Sequence, residues 1–360
     1  MKKRMIAALM AALMTVGCLA GCSSGKEDTA KQDSAKKEDT KKSDAKSDSE
    51  KPKIGICMIN YVNPFYTTYL DVAEEAAEEF GYEIIKNSAE DSLENEVAIL
   101  ENYIQQGVDA ILFDAIDAKG LIDVAEKAVK AGIPTMSIFN PTEADGIYNC
   151  AYEHKIGFKS VTMSIAEQLG GKGKICAIQG AVGNFASDQR TEGMEEALKD
   201  YPDIELVDVQ SCDWDPSKAV EIVQNWLTAY DDIDAVICMT DGATPSVSEV
   251  IEASGKDILV GGNDGELEVL ELMKEGKVAA DTLLSSKRGG WLSIMYTDQI
   301  LKGNDVEHEI YIPSYLVSSQ EVLDKMKADN VDLSWIPTAT PDEAIALCDG
   351  YKEEFADYFK

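Results

Sequence analysis

The stretch IGICMINYVNPFY, residues 54–66, joins a short apolar run to the start of a helix. The run 54–59 has no charged residue, which predicts a strand buried on both faces of a sheet. Pro64 favours extended backbone at Asn63 and fits the first turn of a helix. Apolar residues then recur at helical spacing up to Gly81, where we expect the helix to end. A buried strand followed by an amphipathic helix is the repeating unit of a parallel α/β sheet.

The same unit recurs along the chain. Seven further apolar runs lie at 83–86, 110–113, 135–139, 174–179, 205–209, 235–239 and 259–262. Helical patterns separate them, and one begins at a cap, Asp215, followed by Pro216 and an apolar stripe that includes Trp226. The order strand–helix–strand–helix occurs twice, before and after about residue 155. We therefore predict an α/β protein with two doubly wound lobes, each built on a parallel sheet.

The body of the chain is strongly acidic. Residues 1–53 hold 12 of the 33 bases and 8 of the 66 acids, so residues 54–360 hold 21 bases against 58 acids, a formal charge of −37. Such a body is repelled by phosphate backbones and anionic headgroups, so we expect no nucleic-acid partner and no direct membrane contact. Only two histidines occur, His154 and His308, which argues against a His-rich metal site or a His-dependent triad.

The amino terminus has the pattern of an export signal. Residues 2–4 are Lys-Lys-Arg, and the apolar run 5–16 would extend about 18 Å as a helix, too short for a hydrocarbon core of about 30 Å. The sequence LAGC, residues 19–22, resembles the lipobox of bacterial lipoproteins. This resemblance implies cleavage before Cys22 and lipidation of its thiol. An ordinary signal peptide that happens to contain a cysteine is the alternative.

Residues 23–53 consist mainly of Lys, Asp, Ser, Glu and Thr, and they cannot bury enough apolar surface to fold. A flexible chain of this length spans about 30 Å. A diacylated Cys22 would supply the two acyl chains that stable anchoring requires. We therefore predict a signal peptide with lipobox over 1–22, a disordered linker over 23–53, and an extracytoplasmic body attached to the membrane only through its lipid anchor.

The body contains six cysteines. Three of them fall inside apolar runs and are predicted to be buried in strands: Cys57, Cys176 and Cys238. The sequence does not decide whether two of the other three form a disulfide: Cys150, Cys212 and Cys348. No pair has the spacing of a zinc or redox motif, so we predict no metal site and no cofactor.

Residues that follow the predicted strands are the candidates for function, because ligands of doubly wound sheets bind beyond the carboxyl ends of the strands. The candidates are Asn63, Phe65, Tyr66, Asn140, Arg190, Trp214, Thr240 and Asp264. Amides, a guanidinium and a carboxylate suit hydroxyl groups, and aromatic rings suit the C–H face of a sugar. No nucleophile–base pair stands out, so we predict a binding site for a polyol-like ligand and no enzyme.

Several candidates have a structural alternative. Phe65 could belong to the core, Arg190 could form a surface ion pair, and Asp264 could cap the next helix. For Asp241 we favour the helix cap. The glycine-rich stretches 170–174 and 260–265 lack the position or spacing of phosphate-binding loops, which argues against a nucleotide-dependent enzyme.

From residue 54 to about residue 313, the chain resembles the ribose- and galactose-binding protein family, the type I substrate-binding proteins of ABC transporters. The resemblance is carried by IGICMINYVNPFY, AGIPTMSIFN, IQGAVGNFASDQRTEGMEEAL, DWDPSKAVEIVQNWL, DAVICMTDGA and VGGNDG. It implies two lobes joined by a three-strand hinge, with a sugar clamped between them. We expect one lobe over 54–152 and 285–311, and the other over 153–284 and 312–360.

The resemblance implies ligand contacts for seven of the candidates: Asn63, Phe65, Tyr66, Asn140, Arg190, Trp214 and Asp264. The chain also departs from the family. Thr240 replaces an asparagine, Leu284 falls where a polar residue lines the hinge, and Asn184 and Ala186 replace a histidine and an aspartate of galactose binders. The calcium loop of galactose binders is absent from the sequence. These departures favour another monosaccharide, a deoxysugar or a polyol over ribose and galactose.

Taken together, the sequence predicts a lipid-anchored receptor that delivers a monosaccharide or polyol to an ABC import permease by hinge closure. The alternative is a sensor that presents its ligand to a chemoreceptor or a histidine kinase. A DNA-binding repressor with the same body would need a basic helix-turn-helix where this chain has an export signal. Residues from about 320 to 360 extend beyond the family's usual end, and their apolar residues predict helices on the second lobe: Val322, Met326, Ile345 and Leu347.

Overall fold

The computed structural model describes residues 51–359. The predicted signal peptide and lipobox over 1–22, and the predicted linker up to residue 50, lie outside the described residues. None of the helices between residues 51 and 359 combines the length and the apolarity that crossing a membrane requires.

The described residues form thirteen strands and twelve α-helices. The strands are β1 (Lys53–Met58), β2 (Glu83–Ser88), β3 (Ala110–Phe113), β4 (Thr135–Phe139), β5 (Tyr148–Tyr152), β6 (Lys172–Gln179), β7 (Asp203–Ser211), β8 (Ala235–Cys238), β9 (Leu259–Gly261), β10 (Ala280–Leu283), β11 (Glu309–Ile312), β12 (Tyr315–Ser318) and β13 (Thr338–Ala339). The helices are α1 (Pro64–Phe80), α2 (Leu93–Gln106), α3 (Ile122–Lys130), α4 (His154–Gln168), α5 (Phe185–Leu198), α6 (Pro216–Ala229), α7 (Thr244–Ser254), α8 (Leu267–Lys274), α9 (Ser286–Leu301), α10 (Gln320–Ala328), α11 (Pro341–Asp349) and α12 (Tyr351–Phe355).

The first sheet has six parallel strands in the order β11-β5-β4-β3-β1-β2. Its two faces are covered by separate apolar clusters. Ile54 and Ile56 of β1 pack in a cluster with residues of α1 and α9. Cys57 of the same strand packs on the other face with residues of α2 and α3. Helices on both faces confirm a doubly wound lobe.

The second sheet has seven strands in the order β13-β12-β10-β9-β8-β6-β7. Five of them run parallel, whereas β12 is antiparallel to β10 and pairs with β13 at the edge. Two apolar clusters again divide the faces, with Cys176 and Cys238 in one and Ala177 and Ile237 in the other. The predicted second α/β lobe is confirmed, with an antiparallel edge that the sequence did not indicate.

The chain passes between the two sheets at three places. Tyr152 ends β5 of the first sheet and the chain continues into α4, which packs on the second sheet. Leu283 ends β10 of the second sheet before α9, which packs against α1. Ile312 ends β11 and the chain enters β12. These crossings confirm the three-strand hinge.

The carboxyl-terminal helices pack on both lobes. As predicted, Met326 of α10 and Ile345 of α11 pack against clusters of the second sheet. The helix α12 differs, because Tyr351 and Phe355 are buried in the core of the first lobe, where Tyr351 contacts Trp291 with ring centroids 5.8 Å apart. The assignment of all residues from 312 to 360 to the second lobe therefore does not hold for α12. The other lobe boundaries stay predictions.

Local predictions agree with the elements. All eight predicted apolar runs are strands. Gly81 ends α1 in a left-handed conformation with φ of 92°, and Asp215 caps α6 with Pro216 in its first turn. Each of the six cysteines between residues 51 and 359 is buried and free. The sequence did not decide whether two of Cys150, Cys212 and Cys348 are joined, and the structure has no disulfide among them.

Candidate functional site

A cavity lies beyond the carboxyl ends of strands from both sheets. All eight candidate residues line it: Asn63, Phe65, Tyr66, Asn140, Arg190, Trp214, Thr240 and Asp264. Six further residues complete the lining: Asp114, Phe139, Tyr152, His154, Asn184 and Ala186. The structure thus brings the candidates together in one enclosure, and their contact with a ligand stays a prediction.

Asn63 joins the two lobes at the cavity wall. Its Oδ1 accepts a hydrogen bond from the backbone N–H of Phe65 at 3.0 Å, which caps α1. Its Nδ2 donates to Oγ1 of Thr240 in the second lobe at 3.2 Å. Phe65 is both a core residue and a cavity residue, so the two readings of its role are compatible.

Asp114 and Asn140 form a second polar pair on the first lobe. Asp114 follows β3 and Asn140 follows β4, and Nδ2 of Asn140 donates to Oδ1 of Asp114. Oδ1 of Asn140 accepts from the backbone N–H of Ala186 in the second lobe at 2.9 Å. Burial raises the pKa of Asp114 to about 7, although hydrogen bonds from Asn140 and Tyr66 and the charge of Arg190 act in the opposite direction.

Arg190 is the charged centre of the second lobe. It is 4% exposed, and its Nη2 forms an ion pair with Oδ1 of Asp264 at 3.0 Å. Its Nη1 donates to the carbonyl of Met239. The structural alternative, a surface ion pair, is therefore wrong, because Arg190 and its partner are both buried.

His154 lies between the lobes and supports Arg190. Its Nε2 is 3.0 Å from the carbonyl of Phe139 and its Nδ1 is 3.2 Å from Nη2 of Arg190. A carbonyl only accepts and a guanidinium only donates, so the ring carries its proton on Nε2. Burial and the charge of Arg190 lower the pKa of His154 to about 3. The imidazole is therefore neutral at physiological pH.

Trp214 is held in the cavity wall by a strained turn. Asp213 and Trp214 have φ of 51° and 62°, in the left-handed region that non-glycine residues rarely adopt. Gly180 leaves room for the ring, because a Cβ at that position would come within 2.4 Å of it. Cζ of Arg190 lies 5.7 Å from the ring centroid. Such strain is typical of functional sites.

The aspartates that follow β8 and β9, Asp241 and Asp264, do not cap the next helices. Asp241 does not cap α7, whose first turn has no side-chain cap. Its carboxylate instead accepts the backbone N–H groups of Asn263 at 3.0 Å and Glu266 at 2.9 Å. The favoured cap for Asp241 is therefore wrong, because the loop after β9 supplies nearer donors. Asp264 does not cap α8 either, since Glu266 occupies that position.

Asp264 is instead held as an acceptor at the cavity. Its Oδ2 accepts from Oγ1 of Thr240 at 3.1 Å and from the backbone N–H of Asp241 at 3.0 Å. Burial raises its pKa, and the charge of Arg190 opposes that change. The replacement of asparagine by Thr240 thus produces a hydroxyl that links Asn63 to Asp264.

Of the six lining residues that were not candidates, some follow a pattern in the sequence and others do not. Asp114 follows a predicted strand, so the strand-end argument could have found it. The sequence indicates that Phe139 is a core residue at the end of β4. Its φ of 65° is visible only in the structure. Tyr152 and His154 lie at a crossing between lobes, and no local pattern marks such a crossing.

Known proteins resemble this chain in sequence. The periplasmic binding protein domain family matches residues 54–305. The ribose import binding protein RbsB of Bacillus subtilis is 29% identical over 261 residues, which cover 72% of this chain and 85% of that protein.

Two solved structures have a similar fold. One is an ABC transporter periplasmic solute-binding protein from Actinobacillus succinogenes with bound D-allose, 26% identical, with a TM-score of 0.71 over 76% of this chain and all of the other. Another is an ABC transporter solute-binding protein from Bacillus halodurans with bound myo-inositol, 28% identical, with a TM-score of 0.70 over 77% of this chain and 98% of the other.

Two α/β lobes, three crossings and a cavity lined by both lobes define a solute-binding protein. The chain belongs to the periplasmic binding protein family, in the ribose- and galactose-binding group of type I proteins that serve ABC transporters. Its relatives are transport proteins that bind a solute, and the chain is accordingly a binding protein and not an enzyme.

Proposed function

We propose that this protein is an extracytoplasmic receptor that binds a monosaccharide or polyol in the cavity and delivers it to an ABC import permease. The observation that carries the proposal is the convergence of all eight strand-end candidates, drawn from both lobes, on one enclosure. The relatives described above are named for ribose import or hold D-allose or myo-inositol, which are polyhydroxylated molecules.

The lining suits hydroxyl groups chemically. Asn63, Asn140 and Asp264 offer amide and carboxylate groups, which bind hydroxyls as donors and acceptors. Between residues 51 and 359, two buried donors of the lining make no hydrogen bond, Nε of Arg190 and Nε1 of Trp214. Buried donors without partners are costly, so a ligand oxygen at either one would be stabilising. Aromatic rings provide flat apolar surface for the C–H faces of a sugar.

Hinge closure is the mechanism that we infer. The lobes touch through the hydrogen bonds of Asn63 to Thr240 and of the Ala186 N–H to Asn140. Each of these bonds joins a side chain of the first lobe to the second lobe. A ligand that contacts both walls favours this closed arrangement over an open one, because only a difference in affinity can shift such an equilibrium.

Membrane attachment through Cys22 is part of the proposal and rests on the sequence alone. The signal pattern over 1–22 and the polar linker over 23–53 would place the body outside the cytoplasm on a flexible tether. Mass spectrometry of the mature protein tests it: a diacylated amino-terminal Cys22 is expected, and an unmodified amino terminus elsewhere would contradict it.

The test of ligand binding is a thermal-shift screen of the purified body against monosaccharides and polyols. A ligand at 100 times its Kd stabilises the folded state by about 2.7 kcal/mol. Trp214→Ala should weaken binding of the hit by about 2 kcal/mol or more, the loss expected for an aromatic residue central to a site. Trp335→Ala, outside the cavity lining, is the matched control and should bind normally. Full-strength binding by Trp214→Ala would place the ligand elsewhere.

A further inference from the structure

The walls of the cavity hold two carboxyl groups and one guanidinium. Asp114 and Asp264 are its carboxyl groups and Arg190 is its guanidinium, while His154 is neutral. The ion pair of Arg190 with Asp264 matches one charge of each sign. Among residues 51–359, Asp114 forms no ion pair, and its side-chain partners are the neutral groups of Asn140 and Tyr66.

A neighbouring cavity has a similar excess of carboxyl groups. It shares Asn184 and Trp214 with the first and is lined by residues of both lobes. It contains three carboxylates and one lysine, and Lys218 pairs with Asp213 at 3.0 Å. Two carboxylates remain, Asp91 and Asp215. Their field, added to that of a body with a formal charge of −37, attracts cations and repels phosphates and carboxylates.

Asp114 also lies in a setting that suits an ammonium group. The cavity wall includes five aromatic rings: Phe65, Tyr66, Phe139, Tyr152 and Trp214. Aromatic faces attract cations, and a hydrogen bond from an ammonium to a carboxylate is about twice as strong as a neutral one. Burial raises the pKa of Asp114 to about 7, because its charged form is unfavourable without a counter-ion, and a cationic ligand would favour that charged form.

The two donors without partners, on Arg190 and Trp214, indicate where the hydroxyl groups of the ligand lie. Arg190 is 4% exposed and Trp214 is 6% exposed, and each keeps a donor atom without a partner in the described structure. Both residues come from the second lobe, whereas Asp114 comes from the first. Hydroxyl oxygens therefore suit the second wall, and a donor with a positive charge suits the first.

We propose that the ligand carries a protonated amine besides its hydroxyl groups, as in an amino sugar or an amine-bearing cyclic polyol, and that Asp114 binds the ammonium group. This inference rests on the proposed function and narrows its class of ligand. It also excludes phosphorylated and acidic sugars, which the carboxylates would repel.

The test compares matched pairs of compounds by calorimetry. The pairs are D-glucosamine with D-glucose, D-galactosamine with D-galactose, and scyllo-inosamine with scyllo-inositol, and the N-acetylated amino sugars are included. In the pair that binds best, the amine should bind at least tenfold more tightly than its neutral parent. N-acetylation removes the charge and should abolish that advantage. The affinity of the amine should also fall as salt is raised, more steeply than that of the parent.

Protein variants test the role of Asp114. Asp114→Asn should lose at least tenfold more affinity for the amine than for the neutral parent. Asp71→Asn, which removes the same charge from the exposed surface of α1, should leave both affinities unchanged. Circular dichroism and the melting temperature establish that Asp114→Asn is folded. If it is not, the N-acetylated compounds and the salt dependence decide.

The outcomes separate this inference from the proposed function. If neutral sugars or polyols bind as tightly as their amines, the inference is wrong and the proposed function stands. If Asp114→Asn loses the neutral parent and the amine equally, Asp114 is a general ligand contact and the inference is also wrong. If none of these compounds binds but the thermal-shift screen finds another neutral sugar or polyol, the inference is wrong and the proposed function stands. If that screen finds no ligand either, both are wrong.

Discussion

Asp281 is fully buried in β10, and its carboxyl group lies beside that of Asp241. Burial first, and then the charges of Asp241 and Asp264, raise the pKa of Asp281 well above its usual range. The backbone N–H of Thr282 donates to one of its oxygens at 2.7 Å. The second lobe thus contains a buried titratable group outside the cavity lining.

Asp281→Asn is expected to raise the free energy of unfolding at alkaline pH. Because the pKa is higher in the folded state, the folded chain binds a proton that the unfolded chain releases, and stability falls as pH rises above about 4. Asparagine does not titrate, so the gain over wild type should grow from pH 5.5 to 8.5, by at most about 1.4 kcal/mol for each pH unit. Urea denaturation at both pH values measures it. A difference that is constant with pH would show that Asp281 is not protonated in the fold.

Single residues also show how far the sequence predicts the site. Asn63, Asn140 and Thr240 were found because each follows an apolar run, and the carboxyl ends of parallel strands meet. Asp114 obeys the same rule and was overlooked. Tyr152 and His154 could not be found this way, since they join the cavity only because the chain changes sheet at that point.

At the scale of elements, the apolar runs predicted eight of the thirteen described strands and missed the four beside the crossings, β5, β10, β11 and β12, and the edge strand β13. β3 and β4 are buried along their whole length, so their sequences contain almost only apolar residues. β11 alternates between exposed and buried residues, and β13 has only two residues. Strands of this kind are defined by their pairing with distant segments, and no short stretch of sequence encodes that pairing.

The helix α12 connects the first lobe to the hinge through a buried ion pair. Arg288 at the start of α9 is fully buried, and its Nε and Nη2 donate to the carboxylate of Glu354 at 2.8 and 2.6 Å. Its Nη1 donates to the carbonyls of Leu284 and Pro313 at 3.0 Å. Both carbonyls belong to crossings between the lobes, so Glu354 stabilises the residue that links them.

Glu354→Gln is expected to lower the free energy of unfolding by about 2–4 kcal/mol, because removal of one partner leaves the charge of Arg288 buried and unmatched. Glutamine keeps a hydrogen-bond acceptor, so Glu354→Gln should lower the free energy of unfolding less than removal of the whole side chain would. Urea denaturation monitored by tryptophan fluorescence measures the change. Glu353→Gln, at the exposed neighbouring position, is the control and should change stability by less than about 0.5 kcal/mol. Equal stability of the two variants would contradict a structural role for the ion pair.

At the scale of the whole molecule, closure depends on how nearly the two lobes can approach each other. Gly242 follows β8 in the second lobe, and a Cβ at this position would lie 2.6 Å from Oδ1 of Asn63 in the first lobe. Asn63 cannot easily move away, because it caps α1 and donates to Thr240. The absence of a side chain at Gly242 is therefore a condition of the closed arrangement.

Gly242→Ala is expected to hinder closure while leaving each lobe folded. The added methyl group meets a contact that exists only when the lobes are together, so the free energy of unfolding without ligand should change by less than about 1 kcal/mol. Binding of the sugar or polyol found in the thermal-shift screen should weaken at least tenfold, since contacts from one wall would be lost. Small-angle scattering should show a decrease in the radius of gyration on adding that ligand to the wild type, and no such decrease in the variant. Normal affinity and normal compaction in Gly242→Ala would show that the ligand is bound without the contact between Asn63 and the second lobe.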